Sequence, residues 1–176
     1  TRALPQHAIT GARFTTSTGA TMDVPMSAVA IRRSLFDAAL LDHARACGVT
    51  VVEGETVHEI DSRWRIVIGA DGRHSIVAKK AGLLRGGSRN EHIAFQAHFR
   101  APAGLDDRVQ LHLFPTGYCG VVRVDDECVN VCIVTDRAGA QLHDDCEALF
   151  ARTVWKNPGF RALGIVPEPL EPLASA

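Results

Sequence analysis

Residues 66–83 read Ile66-Val67-Ile68-Gly69-Ala70-Asp71-Gly72-Arg73-His74-Ser75-Ile76-Val77-Ala78-Lys79-Lys80-Ala81-Gly82-Leu83. Three β-branched residues run into a Gly-Ala-Asp-Gly turn, and an alanine- and lysine-rich segment follows. The pattern predicts a buried strand, a tight turn and a helix. Glycine lets a backbone approach where a side chain would clash. A carboxylate at the C-terminal end of a strand, just before a helix, is placed to hold a hydroxyl or an ordered water beside a phosphate. Gly69, Asp71 and Gly72 are therefore candidate cofactor-binding residues. The competing role for Asp71 is a turn cap, because Asp-Gly is a common turn pair.

Upstream of this stretch, Leu35 to Cys47 carries apolar residues at helical spacing, with Ser34 as the expected N-cap and Gly48 as the stop. Val49 to Val52 reads as the start of a strand, with Ile66 to Ile68 as a second one nearby. Nearer the start, Ile9 to Pro25 reads as a β-hairpin around Ser17-Thr18-Gly19. Ala28 to Ile31 reads as a further short strand.

Downstream of His92 the texture changes to period-two alternation. Ile93, Phe95, Ala97 and Phe99 share one face, opposite Gln96 and His98. Val109, Leu111 and Leu113 oppose Gln110, His112 and Phe114. Val129, Val131 and Ile133 oppose Cys128, Asn130 and Cys132. Alternation over several strands predicts an antiparallel sheet with one apolar face. Gln96, His98, Gln110 and His112 either line a substrate-facing surface or supply the solvent face that such a sheet needs. Asp125-Asp126-Glu127 reads as a hairpin turn, and Leu142 to Trp155 as a helix. After Asn157-Pro158-Gly159 the chain reads as a Pro-rich tail.

Composition narrows the classes. The 176 residues hold 46% hydrophobic and 22% charged residues, near the values of soluble globular proteins. The net charge is -1 and no basic run occurs, so neither nucleic acid nor an anionic membrane is an expected partner. No apolar run approaches the roughly 20 residues of a membrane-spanning helix, and no signal peptide is visible at the start. The five cysteines, Cys47, Cys119, Cys128, Cys132 and Cys146, show no paired CxxC. They are expected as free thiols in a reducing cytoplasm. No metal-ligand cluster, Ser-His-Asp or Cys-His arrangement stands out, so no catalytic side chain is named.

GADGRHSIVAKKAGL, Gly69 to Leu83, resembles the DG motif GADGxxSxVRxxxGL of FAD-dependent oxidoreductases of the para-hydroxybenzoate hydroxylase type. It departs at Ala78, where that family often has arginine. Arg33-Ser34-Leu35-Phe36-Asp37, with Leu40, is similar to the RxxFDxxL helix start of the same superfamily, especially its geranylgeranyl-reductase-like members. Phe114-Pro115-Thr116-Gly117-Tyr118-Cys119-Gly120, followed by Val129-Asn130-Val131, looks like its PxGYxG…VNV strand pair. These three motifs stand in the family's order over about 100 residues. The GxGxxG that seats the FAD pyrophosphate does not occur, nor does the later GD motif.

The resemblance implies the middle section of a flavoprotein. The expected fold class is α+β, an antiparallel substrate-domain β-sheet interleaved with a partial α/β FAD-binding domain. Residues 1–31 and 88–176 would form the substrate domain and 32–87 the FAD segment with the DG motif. Asp71 is expected near the FAD ribose and pyrophosphate. Arg33 is expected to face the cofactor, where a planar guanidinium suits phosphate, unless it is a plain surface arginine. Tyr118 is expected at the substrate pocket, with Gln96, His98, Gln110 and His112 as further candidates for contact with a small-molecule substrate. The implied parent is a monooxygenase or double-bond reductase that uses FAD, with NAD(P)H as reductant, on a small apolar or aromatic substrate. The tryptophans, Trp64 and Trp155, form no WxWxIP motif, which disfavours a halogenase. The alternative is a non-catalytic small-molecule-binding or structural module that holds no flavin.

Overall fold

The computed structural model describes residues 4–61, 63–72, 74–83, 92–136 and 145–175. The chain divides into two compact units, Thr1–Ala39 with Glu91–Ala176, and Leu40–Asn90.

The first unit is built on a seven-stranded sheet. Strands β1 (His7–Thr15) and β2 (Thr21–Ala30) form the expected hairpin, and β2 absorbs the separate strand expected over residues 28–31. The remaining strands are β3 (His92–Arg100), β4 (Arg108–Phe114), β5 (Gly117–Arg123), β6 (Cys128–Asp136) and the short β7 (Ala174–Ser175). Their order in the sheet is β2-β1-β4-β5-β6-β3-β7. The sheet is mixed rather than antiparallel. All its pairs are antiparallel except β1 with β4, where Thr15 faces His112 in parallel register. Parallel neighbours need a long crossover, and the whole chain between β1 and β4 supplies it.

Cross-strand partners share a face of a sheet. One face therefore carries the row Phe95, Ile133, Cys119 and His112. It is covered by α3 (Cys146–Arg152), a 3-10 turn (Val154–Lys156) and α4 (Pro158–Ala162). Phe99 and Phe150 lie 5.4 Å apart, and Phe150 meets Phe160 edge-on at 5.5 Å. Such aromatic contacts add to the area that each ring buries.

Asn157-Pro158 starts α4 rather than a tail. Asparagine at the N-cap and proline in the first turn form a recognised helix start. The Asn157 side-chain oxygen accepts from the Gly159 and Phe160 amides at 2.9 and 3.1 Å. Its Nδ2 donates to the carbonyls of Thr15, Thr16 and Leu113 at 2.8–3.1 Å. One fully buried side chain thus caps a helix and ties it to two strands. Of the helix expected over Leu142–Trp155, residues 142–144 lie outside the described residues; α3 ends at Arg152.

Helix α1 (Arg33–Ala46) begins two residues earlier than its expected cap, Ser34, would allow. The Leu35 and Phe36 amides donate to the Arg32 carbonyl. Arg32 is fixed by its guanidinium, which holds Asp125 at 2.7 and 2.8 Å. The helix stops at Gly48, whose φ of 84° is one that glycine adopts without strain.

The second unit contains α2 (Ile76–Lys80), which starts after the 69–72 turn and ends at Gly82. The expected strands at 49–52 and 66–68 are absent. A parallel-sheet strand is held by neighbours on its edges and cover on its faces. Among the described residues of this unit no strand offers either, and Ile68 stands 83% exposed.

All five cysteines are free thiols, as expected. Among the described residues no cluster of metal-ligand type occurs, and no helix is long and apolar enough to cross a membrane.

Candidate cofactor turn and sheet faces

The 69–72 turn is shaped by two glycines for different reasons. A Cβ on Gly69 would stand 2.7 Å from the Val77 side chain, so only glycine lets the incoming segment pack on α2. Gly72 has φ 76°, in the left-handed region, with open space around it. Between them, Asp71 accepts from the Ser75 hydroxyl at 2.5 Å and from the Ile76 and Val77 amides at 2.6 and 3.3 Å. Ser75 in turn accepts from the Ala78 amide at 2.9 Å. The Ser75 bond, reinforced by these amides, holds the Asp71 carboxyl below its ordinary pKa.

This donor set says what the turn can hold. The first three amides of α2 are occupied by Asp71 and Ser75, so they are not offered to a phosphate. A carboxylate has about four acceptor positions, and three at Asp71 are filled. The fourth suits a hydroxyl donor, such as a ribose hydroxyl, better than an anion. The turn-capping role of Asp71 is therefore present in the structure.

Arg33 lies in the first turn of α1, 85% exposed, with Nε donating to Asp37 at 2.7 Å. Its terminal nitrogens stay at the surface, where a guanidinium can meet an anion. It belongs to the first unit, whereas Gly69, Asp71 and Gly72 belong to the second.

The sheet separates the other candidates by face. Gln96 and His98 of β3 and Tyr118 of β5 lie on the face away from the helices. Gln96 shares a row with Cys132, Gly120 and Leu111; His98 shares one with Asn130 and Val122. Tyr118 and Leu113 are paired neighbours there, each 41% exposed. His98 pairs through Nδ1 with Glu171, and its carbonyl accepts from the Leu170 amide.

Gln110 and His112 lie on the helix-covered face instead, 4% and 1% exposed. They neither front the solvent nor join the other three. Alternation in β4 separates its two faces correctly, but the polar-looking face is the covered one. Gln110 donates to Asp106 at 3.1 Å, which satisfies it in the interior. His112 meets Phe160 edge-on at 5.6 Å, and both its ring nitrogens lack a hydrogen-bond partner. Burial lowers its pKa to about 4, opposed in part by the Asn157 side chain, so the ring is neutral near pH 7.

Three structural residues escaped the sequence reading. Arg13 holds Asp23 through two bonds of 2.7 and 2.8 Å, and Arg108 holds Asp106 at 2.8 Å. Arg13 and Asp23 face each other across the β1–β2 hairpin, and Asp106 lies two residues before Arg108; what the parallel β1–β4 pairing adds is the 3.7 Å approach of Arg13 to Asp106, which alternation does not announce. Asn157 carried a readable signal in the proline that follows it.

No protein-family model and no curated protein matches the chain. Solved structures do. The flavin-dependent halogenase CmlS matches with a TM-score of 0.78 and 20% identity, over 97% of this chain and 38% of its own. The halogenase PltM, solved with phloroglucinol and FAD, matches with a TM-score of 0.73 and 12% identity, over 97% of this chain and 44% of its own. PqsL, a probable FAD-dependent monooxygenase from Pseudomonas aeruginosa, matches with a TM-score of 0.69 and 13% identity, over 97% of this chain and 56% of its own. The chain spans 38–56% of the length of these three proteins. Over nearly all its length, the chain has the fold that flavin-dependent halogenases and FAD-dependent monooxygenases share.

Proposed function

We propose that the chain is a section of an FAD-dependent oxidoreductase, a monooxygenase or double-bond reductase acting on a small apolar or aromatic molecule. Residues 32–87 are the FAD-binding segment, and residues 1–31 and 88–176 the substrate domain. The observation that carries this reading is the 69–72 turn. Gly69 and Gly72 clear the backbone, and the capped Asp71 keeps one acceptor for a cofactor hydroxyl. The likeness of fold to flavoproteins supports the same reading.

Bound FAD supplies the redox chemistry, and NAD(P)H is the reductant we assign to it. The chain's own residues bind and orient. Asp71 holds a hydroxyl of the cofactor, and Arg33 offers its guanidinium to the pyrophosphate. On the sheet face away from the helices, Tyr118 and Leu113 supply apolar surface, while Gln96 and His98 supply hydrogen bonds that orient the substrate. Gln110 and His112 are not assigned to substrate, because they lie on the other face. The protein works in the cytoplasm on this reading.

A second reading has its own support. The first α2 amides are already occupied by Asp71 and Ser75, which suits a module that holds no flavin. Titration of the chain with FAD, read by quenching of flavin fluorescence, separates the two. We expect saturable binding, weakened about tenfold in Asp71→Asn, the scale of one lost charge-assisted hydrogen bond. Ser75→Ala loosens the helix start but leaves the carboxylate, and is expected to bind FAD nearly as well as the parent. No saturable quenching would favour the flavin-free module. Equal losses in both variants would reduce Asp71 to a helix cap.

A further inference from the structure

The chain between α4 and β7 runs past the end of β3 and is held at two points. Ile165 is buried in the core. Further on, the Leu170 amide donates to the His98 carbonyl at 2.8 Å, and Glu171 pairs with His98. Pro167 and Pro169 lie between these anchors, and each fixes its own φ. A segment held in shape in this way loses little freedom when a ligand meets it.

A cavity of about 300 Å3 lies between this segment and the end of β3, with Arg100, Pro102, Val166, Glu168, Pro169 and Leu170 in its lining. That volume is the lower end of the small-molecule range of about 300–1,000 Å3. Its charges differ from those elsewhere in the sheet unit. Arg13, Arg32 and Arg108 each hold a carboxylate. Among the described residues, Arg100 and Glu168 form no ion pair or side-chain hydrogen bond, with each other or with any other group. Both are exposed, so both can be reached from solvent. The rest of the wall is apolar, and Val166 and Leu170 stand 59% and 56% exposed on it.

One cation, one anion and an apolar surface in a single small cavity match a zwitterion with an apolar arm. A guanidinium receives a carboxylate through two parallel hydrogen bonds, and a carboxylate accepts from an ammonium. A ligand with one charge would satisfy one group and leave the other to water. We propose that this cavity binds a free α-amino acid with an aliphatic side chain. Its carboxylate meets Arg100, its ammonium meets Glu168, and its side chain lies against Val166 and Leu170. A single exposed ion pair is weak in water, so both pairs and the apolar contact act together. The proposal stands apart from flavin binding, since every residue in it belongs to the sheet unit.

The test is a titration of the isotope-labelled full chain with L-leucine, at constant ionic strength and near-neutral pH. It is read by NMR at the Arg100 Nε–H and at the Val166 and Leu170 methyls. We expect these signals to move together and to saturate. Three analogues each remove one contact: 4-methylpentanoate lacks the ammonium, 3-methylbutylamine lacks the carboxylate, and glycine lacks the aliphatic arm. Each should bind about fivefold more weakly, the upper scale of one exposed pair. Arg100→Gln and Glu168→Gln break no bond within the fold, and each should weaken leucine binding by a similar factor. Arg100→Gln should then bind leucine and 3-methylbutylamine alike, and Glu168→Gln should bind leucine and 4-methylpentanoate alike. Shifts that never saturate would mean that the two charges hold only water and buffer ions. Binding of any analogue as tight as that of leucine, or either variant binding leucine as the parent does, would also overturn the proposal.

Discussion

The sheet unit and the 40–90 unit are held by different kinds of interaction. In the first, Phe95, Phe99, Val131, Leu149, Phe150 and Phe160 pack to near-zero exposure between strands and helices. In the second, no described residue is fully buried, and Val52, Trp64, Ile66 and Ile68 stand largely exposed. What shape it has comes from local devices: the Asp71 and Ser75 caps, Gly72, and glycines that end helices. Caps and turns can set a local path, but each contributes only about 1 kcal/mol. A rigid body needs the long-range burial that the sheet unit has.

The largest effect that tests this contrast is truncation inside the aromatic cluster. Phe150→Ala is expected to cost the sheet unit about 3–5 kcal/mol, measured by urea unfolding. A cost below 1 kcal/mol would mean that the cluster is not the core. Next comes pH. The His112 pKa of about 4 lies below the 6.5 of an exposed histidine, so between these values the unfolded chain binds more protons than the folded one. This contribution to stability is complete above pH 6.5, shrinks as pH falls, and is gone below pH 4. Its size over that window is about 3 kcal/mol. Thermal melts from pH 7 to 4 should show the loss, and His112→Phe should flatten that part of the profile. A parent whose stability is unchanged from pH 7 to 5 would contradict a buried neutral ring.

A smaller loss, about 2–3 kcal/mol, is expected for Asn157→Ala, which removes a cap and the three bonds to carbonyls. Hydrogen exchange should then speed up at the Gly159 and Phe160 amides before other parts of the sheet unit. Uniform acceleration would argue against a local tie. The smallest effect is reserved for the other unit. Leu40→Ala, on the exposed side of α1, should change stability by no more than about 0.5 kcal/mol. A loss comparable to that of Phe150→Ala would erase the distinction between the two units.

The same contrast explains what could be read in advance. The hairpin of β1 and β2, the alternation in β3 and β6, and the helix after Gly72 all rest on residues close in the chain. The strands expected at 49–52 and 66–68 rested on apolar content alone, and a strand exists only where a neighbour pairs with it. For β4 the period was right and the covered face was wrong. Gln110 and His112 look like surface residues until Asp106 and Phe160 are found beside them. The mixed sheet was hidden for a related reason, because no local pattern states which distant strand will lie next to β1. At the candidate turn, Asp71, Gly69 and Gly72 were legible because the whole device spans a dozen residues. Arg33 was legible as a helix-start residue, while its bond to Asp37 emerged only from the structure.

The parallel contact of β1 with β4 also sets a timetable. The Thr10 amide meets the Asp107 carbonyl across 97 residues of chain. At roughly 5–20 residues per second of synthesis, the first hairpin leaves the ribosome about 5–20 seconds before the strand that will cover its open edge. During that interval β1 carries unpaired amides and carbonyls, the template on which stray strands join. That edge is thus most open to mispairing until β4 is made, and the means of protecting it must act while translation is still under way.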